Sequence, residues 1–208
     1  KAQRVVAAAD GRPVVDFGAR RMHGIDAALK AARAFWIGGV DATSNVLAGK
    51  LYGVPVAGTM AHSYIQAHDD ERTAFRAFAQ IFPQTTLLVD TYDTLNGIRK
   101  VIDLAKSLGD DFNVKAVRLD SGDLLALARE TRRLLDESGL DNIEIFASGG
   151  LDEVLGEVQG DDVCAAGGEK AGVVALAAAE VETDQPGNSR KHREARGRVD
   201  EVAIRVEA

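Results

Sequence analysis

The stretch Ala116-Val117-Arg118-Leu119-Asp120-Ser121-Gly122-Asp123-Leu124 opens as a short apolar run and then breaks into polar turn residues. From Leu124 to Glu137 the apolar positions recur at helical spacing, so the segment reads as strand, tight turn and helix. The same unit repeats on both sides. Val54-Pro55-Val56-Ala57-Gly58 precedes a helix over 70–82, with Ala74, Phe75, Phe78 and Phe82 on one face. Residues 86–90 lead into a helix over 94–108, and 143–147 lead into a helix that starts near Leu151. These strands begin near 54, 86, 115 and 143, a step of about thirty residues that is typical of a βα unit. Strands joined by crossover helices are parallel, which leaves an open doubly wound sheet or a closed (β/α) barrel.

Upstream, Pro13-Val14-Val15-Asp16-Phe17 is followed by an Ala-rich helix over 25–36, and 37–41 reads as a short strand. Thr43 or Ser44 is then placed to cap a helix that runs to Tyr52. A full eight-stranded barrel takes about 250 residues, and the chain has 208. With about six units visible, the fold class expected is α/β, an irregular barrel of parallel strands that is incomplete. Its core and site would lie within 13–160.

Beyond Leu155 the pattern weakens. Residues 173–179 form an apolar run that suits a strand or a helix, 183–189 have loop chemistry, and 190–198 are dense in charge. No aromatics interleave with that basic stretch, so a solvated surface is its simpler reading. Residues 199–206 alternate like a half-exposed strand.

The composition, 46% hydrophobic and 27% charged, is that of a globular protein able to bury a core. The formal charge of -7 argues against a nucleic-acid scaffold but not against a local anion site, since Arg side chains and backbone amides bind phosphate at any net charge. One cysteine, Cys164, makes no internal disulfide and fits a reducing cytoplasm, and no apolar run is long enough to span a bilayer. The first ten residues are too short and too soon charged for a signal peptide.

In parallel α/β folds, functional groups gather where strands end and helices begin. At those exits stand Asp16 and Arg20, Asp41, Thr59 and His62, Asp90 and Asp93, Arg118, Asp120 and Ser121, and Ser148, Gly149 and Gly150. Asp, Ser and Gly are also ordinary turn residues, so the set carries more weight than any member. His62, four residues past Gly58, suits a base, a ligand or a nucleophile as well as a structural histidine. His23, His68 and His192 lack such an address. Arg118 and Asp120 lie two apart and share one face of a strand, either as an ion pair or as a fork for an anion beside a carboxylate for a ribose hydroxyl or Mg2+. Ser148-Gly149-Gly150 makes a turn with open backbone amides. There is no Walker lysine, no dinucleotide fingerprint, no set of kinase motifs around Asp16-Phe17-Gly18, and no Cys/His metal spacing.

Taken in order, six segments together resemble the nicotinate phosphoribosyltransferase family. They are Asp16-Phe17-Gly18-Ala19-Arg20-Arg21, Gly38-Gly39-Val40-Asp41-Ala42-Thr43-Ser44-Asn45, Gly58-Thr59-Met60-Ala61-His62-Ser63, Val89-Asp90-Thr91-Tyr92-Asp93-Thr94, Val117-Arg118-Leu119-Asp120-Ser121-Gly122-Asp123-Leu124 and Ala147-Ser148-Gly149-Gly150. The resemblance covers residues 5–155. It implies an enzyme of NAD biosynthesis that joins nicotinate to phosphoribosyl pyrophosphate, giving nicotinate mononucleotide and pyrophosphate. ATP would be a co-substrate, coupled through a phosphohistidine, with Mg2+ as cofactor.

The roles it implies are these. His62 is the histidine phosphorylated by ATP, Thr59 a nicotinate-binding position, and Arg118 the partner of the pyridine carboxylate. Arg20, Asp41, Asp120, Ser121 and Gly122 surround the ribose, pyrophosphate and Mg2+, and Ser148, Gly149 and Gly150 form a phosphate turn. His62, Asp120 and Arg118 are then the catalytic candidates.

The resemblance also implies an irregular barrel with a second, β-rich domain built from both chain ends, working as a homodimer in the cytoplasm. Residues 1–12 are accordingly expected to lead in from a further N-terminal segment, which in the family carries a tyrosine that stacks on nicotinate. Ala166-Gly167-Gly168-Glu169 departs from the family's second phosphate turn, so 161–208 are expected to be a poorly matched, discontinuous C-terminal region with remnants of the second domain. The competing readings are a nicotinamide or quinolinate phosphoribosyltransferase, and a truncated barrel that serves as a binding partner without catalysis.

Overall fold

The computed structural model describes residues 1–149, 151 and 173–176. Its centre is one parallel sheet of six strands: β1 (Val14–Asp16), β2 (Ala42–Thr43), β3 (Thr85–Leu88), β4 (Val114–Leu119), β5 (Glu144–Ala147) and β6 (Val173–Leu176). They lie in the order β2-β1-β6-β5-β4-β3, every pair parallel. The fold is therefore mixed α/β, as the strand spacing predicts. Strands consecutive in the chain are neighbours in the sheet wherever the order runs β3 to β6, and β6 then returns to β1. No sheet closes among the described residues.

The described residues hold seven α-helices, α1 (Ala2–Ala8) ahead of the first strand and then α2 (Ile25–Ile37), α3 (Val46–Tyr52), α4 (His62–Gln66), α5 (Glu71–Ile81), α6 (Thr94–Leu108) and α7 (Leu124–Glu137). Asx side chains start four of them. Asn45, Asp70, Asp93 and Asp123 accept from the backbone amides of Ala48, Thr73, Asn96 and Ala126, satisfying donors that a helix N-terminus leaves open. Asp93, a strand-exit carboxylate in the sequence, is thus the cap of α6.

Three expectations need correction. Val54–Gly58 forms one bridge, Thr43 with Val56, instead of a strand, because Pro55 has no amide to donate to a ladder. Residues 37–41 are the end of α2 and a Gly38-Gly39 turn, with the strand beginning at Ala42. The cap of α3 is Asn45 instead of Thr43 or Ser44.

Residues 1–12, expected as a lead-in, contain α1. Its Ala2, Val5, Ala8 and the following Ala9 bury against Val14, Val40, Ala147 and Leu151. Val173–Leu176, inside the stretch expected to be poorly matched, is a strand of this same sheet. The readings of 183–189, 190–198 and 199–206, the helix after Leu151, and Gly150 lie outside the described residues.

The main core fills the space between β3, β4 and β5 and helices α4 to α7, with Ile65, Phe75, Leu87, Leu88, Ile98, Val117, Leu119, Leu135 and Ile145 among its buried members. Phe82 is exposed, although the helical face predicted for α5 includes it. Helix α6 comes so close to the end of β3 that a Cβ at Gly97 would stand 2.1 Å from the Val89 carbonyl oxygen. That approach fixes the turn after β3. Among the described residues no helix is long and apolar enough to cross a membrane.

Candidate functional site

The carboxyl-terminal edge of the sheet collects Asp16, Thr43, Asp90, Asp120 and Ser148, each at or just past the end of its strand. Arg118, on β4, is the hub. Its Nε donates to Ser148 Oγ at 2.7 Å, Nη1 to Thr59 Oγ1 at 2.8 Å, and Nη2 to Asp120 Oδ1. The guanidinium carbon lies 5.0 Å from the ring centroid of Phe17, and that ring stacks on Phe146 at 5.6 Å. A guanidinium has five N–H donors, three of which are engaged, so one remains on each terminal nitrogen. Of the two sequence readings of the pair, the ion pair between Arg118 and Asp120 is the one seen.

Asp120 is held as a carboxylate. Burial pushes its pKa up, but the Ser148 hydroxyl, the Arg118 guanidinium and His62 outweigh that and leave it below the ordinary Asp value. Oδ1 accepts from Arg118 and from Ser148 Oγ, while Oδ2 lies 3.4 Å from His62 Nε2. The other ring nitrogen, Nδ1, is 3.1 Å from Thr91 Oγ1.

Behind this group stands Asp90, buried. Its Oδ2 accepts from the Asp120 amide at 3.0 Å and from Ser121 Oγ at 2.6 Å, and its Oδ1 is buried with no protein partner among the described residues. Gly149 closes the arrangement from β5. Its φ is +86°, and a Cβ there would stand 2.1 Å from the Asp120 carbonyl oxygen, so only glycine lets the two exits meet. The Ser148 amide donates to Leu119 O at 2.8 Å, continuing the ladder one step past the strands.

The structure thus brings together Thr59, His62, Arg118, Asp120, Ser121, Ser148 and Gly149 from the expected set. Gly122 lies on the turn between Ser121 and the cap of α7. Arg20 sits three residues past Phe17 on a single 3-10 turn, Ala19–Arg21, where it is exposed. Asp41 is separated from the group. It lies at the amino-terminal edge, where its Oδ2 accepts from the Val14 amide at 2.7 Å and its own amide donates to Val14 O at 2.9 Å. Its sequence position beside Gly38-Gly39 suggests an exit, but the strand starts after it.

Three members escape the sequence reading of the site. Asp90 stands among the exit residues without a role, Thr91 follows it, and Phe17 looks like the last apolar residue of a strand. Their common signal is adjacency to a strand end, which marks a position and says nothing of its partners. Asp16, by contrast, is enclosed: Oδ1 accepts from Gly18 N at 2.7 Å and Oδ2 from Thr43 Oγ1 at 2.8 Å. Burial raises its pKa, and the bonds from Gly18 and Thr43 offset that only in part.

Comparison with known proteins gives a consistent picture. The sequence model of the nicotinate phosphoribosyltransferase (NAPRTase) family matches residues 13–161. The chain is 63% identical over 153 residues to nicotinate phosphoribosyltransferase pncB2 of Mycobacterium tuberculosis, covering 74% of this chain and 33% of that protein. It is 47% identical over 154 residues to the nicotinate phosphoribosyltransferase of Bacillus subtilis, covering 74% and 31%. Among solved structures it is similar to human nicotinic acid phosphoribosyltransferase, with a TM-score of 0.73 at 28% identity, covering 85% of this chain and 46% of that one. It is also similar to a nicotinate-nucleotide pyrophosphorylase from Pyrococcus furiosus, with a TM-score of 0.67 at 31% identity, covering 84% and 44%. The chain spans about a third of the length of the curated relatives it matches.

Proposed function

The chain belongs to the nicotinate phosphoribosyltransferase family, and from that premise we propose that it carries the site at which nicotinate and phosphoribosyl pyrophosphate become nicotinate mononucleotide and pyrophosphate, in NAD biosynthesis. The observation that carries this reading is Arg118. Its guanidinium is fixed at three nitrogens, backed by an aromatic face, and keeps one N–H free on each terminal nitrogen. Such a fork suits a planar carboxylate, and a pyridine ring attached to it would lie beside Phe17. Nicotinamide offers no anion to that fork, and quinolinate would bring a second carboxylate, for which no second Lys or Arg is bonded into the group around Arg118 among the described residues. A monocarboxylate pyridine is therefore favoured.

In the reaction the pyridine nitrogen pair forms the bond to the anomeric carbon while the carbon–oxygen bond to pyrophosphate breaks and its electrons leave with pyrophosphate. Positive charge grows on the ribose ring, and the ionised Asp120 is the anion available to balance it. Ser148, Gly149 and Gly150 contribute the phosphate turn, Ser121 and Gly122 flank the ribose, and Arg20 is the exposed cation for the pyrophosphate end. Among the described residues no three His, Cys, Asp or Glu side chains form a metal cage. The oxygen left without a protein partner, Oδ1 of Asp90, fits a Mg2+ that reaches the site on substrate phosphates. When bound, that ion would neutralise leaving-group charge.

ATP enters as co-substrate. Transfer of its terminal phosphoryl to a ring nitrogen of His62, with the bond to the β-phosphate oxygen breaking and ADP leaving, would place negative charge and new acceptors beside Thr91 and Asp120, altering how the site holds its substrates. The full architecture proposed is an irregular (β/α) barrel, supported by the return of β6 to β1 and by the Val56 bridge that extends the other edge of the sheet. A homodimer and a cytoplasmic location belong to the same proposal, the first resting on the family resemblance and the second on the single cysteine.

The test is formation of nicotinate mononucleotide from labelled nicotinate and phosphoribosyl pyrophosphate, with and without ATP. Product formation stimulated by ATP, with the stimulation lost in His62→Asn, is expected. If no product forms under any condition while pyridine binding persists, the non-catalytic binding reading replaces it.

A further inference from the structure

Two successive residues of one strand exit hold the two ends of the His62–Asp120 contact. Asp90 anchors the Asp120 amide and the Ser121 hydroxyl, so the carboxylate's backbone is fixed from β3. Thr91 faces the imidazole from the other side, 3.1 Å from Nδ1. The contact from Nε2 to Asp120 is longer, at 3.4 Å, so the hydroxyl is the closer of the two partners that orient the ring.

The proton positions follow from what each partner is able to offer. Asp120 Oδ1 accepts from a guanidinium and a hydroxyl, and a carboxylate in that setting has only acceptor atoms to present. Nε2 must then carry a hydrogen toward Oδ2. In a neutral imidazole this leaves the lone pair on Nδ1, and the nitrogen that is protonated is governed by the bond made at the other one. Thr91 Oγ1 is a hydroxyl that donates to such a lone pair. Asparagine or aspartate at position 91 would not act in the same way: an amide could present either end, and a carboxylate would call for a proton on Nδ1.

We propose that Thr91 is a positioning residue that orients the His62 ring so that its proton lies on Nε2, toward Asp120, and its lone pair on Nδ1, toward a hydroxyl that must turn aside before a phosphoryl group can bond there. Its relevance to turnover rests on the reading above that His62 accepts a phosphoryl group. The tautomer itself does not depend on that reading. Asp90 and Thr91 then act as one unit, the first fixing where the carboxylate is and the second fixing which nitrogen faces away from it.

Nitrogen-15 NMR of the imidazoles reads this directly, with His62→Asn used to assign the resonance among the four histidines. At mildly alkaline pH the wild type is expected to show a protonated Nε2 and a pyridine-like Nδ1 at His62. Thr91→Ser should keep that pattern. Thr91→Val, equal in shape but without the hydroxyl, should shift both nitrogens toward averaged values as the ring loses its anchor. An Nδ1–H signal in the wild type, or a Thr91→Val spectrum identical to wild type in a folded protein, overturns the proposal.

Phosphoryl labelling of His62 by ATP gives the second readout. Thr91→Val should slow it about tenfold, the equivalent of losing one hydrogen bond, and Thr91→Ser should restore it with the KM for nicotinate unchanged. Absence of labelling in the wild type would defeat the ATP-coupling reading alone, and the NMR spectra would still decide the tautomer.

Discussion

Asp16 at the end of β1 and Asp120 just past β4 occupy equivalent places at the same edge of one sheet, and the protein treats them in opposite ways. Asp16 is enclosed, satisfied by a backbone amide and a threonine hydroxyl, and its pKa is raised because burial outweighs those bonds. Asp120 is also partly buried, yet a guanidinium, a serine hydroxyl and a histidine more than offset the burial and lower its pKa. The difference lies in their neighbours. The exit of β1 meets Thr43 across β2, with no cation against the carboxylate among the described residues, whereas the exit of β4 receives side chains from the end of β5 and from the segment after Val56. One carboxylate closes a turn, and the other is kept charged in a place where charge is useful.

The largest expected effect comes from Gly149, which allows β5 to approach Asp120. Gly149→Ala would force a Cβ into the Asp120 carbonyl and strain a left-handed backbone, with a cost of about 3 kcal/mol or more, read as a fall in Tm together with loss of pyridine binding. A variant with unchanged Tm would show that the two exits are not locked together.

Next comes the direct contrast of the two aspartates. Asp120→Asn removes the anion facing Arg118 and should cost about 2 kcal/mol in chemical denaturation, whereas Asp16→Asn keeps an acceptor in place and should stay within about 1 kcal/mol of wild type. Equal losses would mean that the two carboxylates are held in the same way.

Their pH dependences should also diverge. A lowered folded pKa makes the Asp120 contribution present above about 3.9, the unfolded value, and lost as pH falls through the folded one. A raised folded pKa does the reverse at Asp16: its contribution is full below about 3.9 and is lost as pH rises through the folded value. In a stability–pH profile, Asp120→Asn should flatten the acid limb, and Asp16→Asn should gain on wild type as the pH rises toward neutrality. The smallest effect should be that of Phe17→Leu, which removes a stack on Phe146 and the face under Arg118 and is worth about 1 kcal/mol of stability.

Much of this arrangement is legible in the chain because apolar runs and helix-spaced stretches alternate, and that alternation places Arg118, Asp120, Ser148 and His62 at exits before any coordinates are known. What escapes is of two kinds. Short elements whose existence depends on tertiary contact are misread: α1 has no strong signal of its own and forms against Val14, Val40 and Ala147, and Pro55 silently removes the ladder donor that a strand at Val54–Gly58 would need. Direction along a short strand is the other. Asp41 and Asp16 both flank strands in sequence, but one precedes β2 and the other ends β1, which puts them on opposite edges. Partners such as Asp90 to Asp120 are separated by thirty residues and are set only by the register of β3 on β4.

The proposed activity depends on the Arg118 fork selecting a pyridine carboxylate. Titration calorimetry of nicotinate and of nicotinamide into the wild type and Arg118→Lys tests it most directly, because lysine keeps the charge and loses the fork. The wild type should bind nicotinate about tenfold or more tightly than nicotinamide, and the variant should lose most of that preference. Equal binding of the two pyridines by the wild type, or a preference that survives in Arg118→Lys, would contradict it.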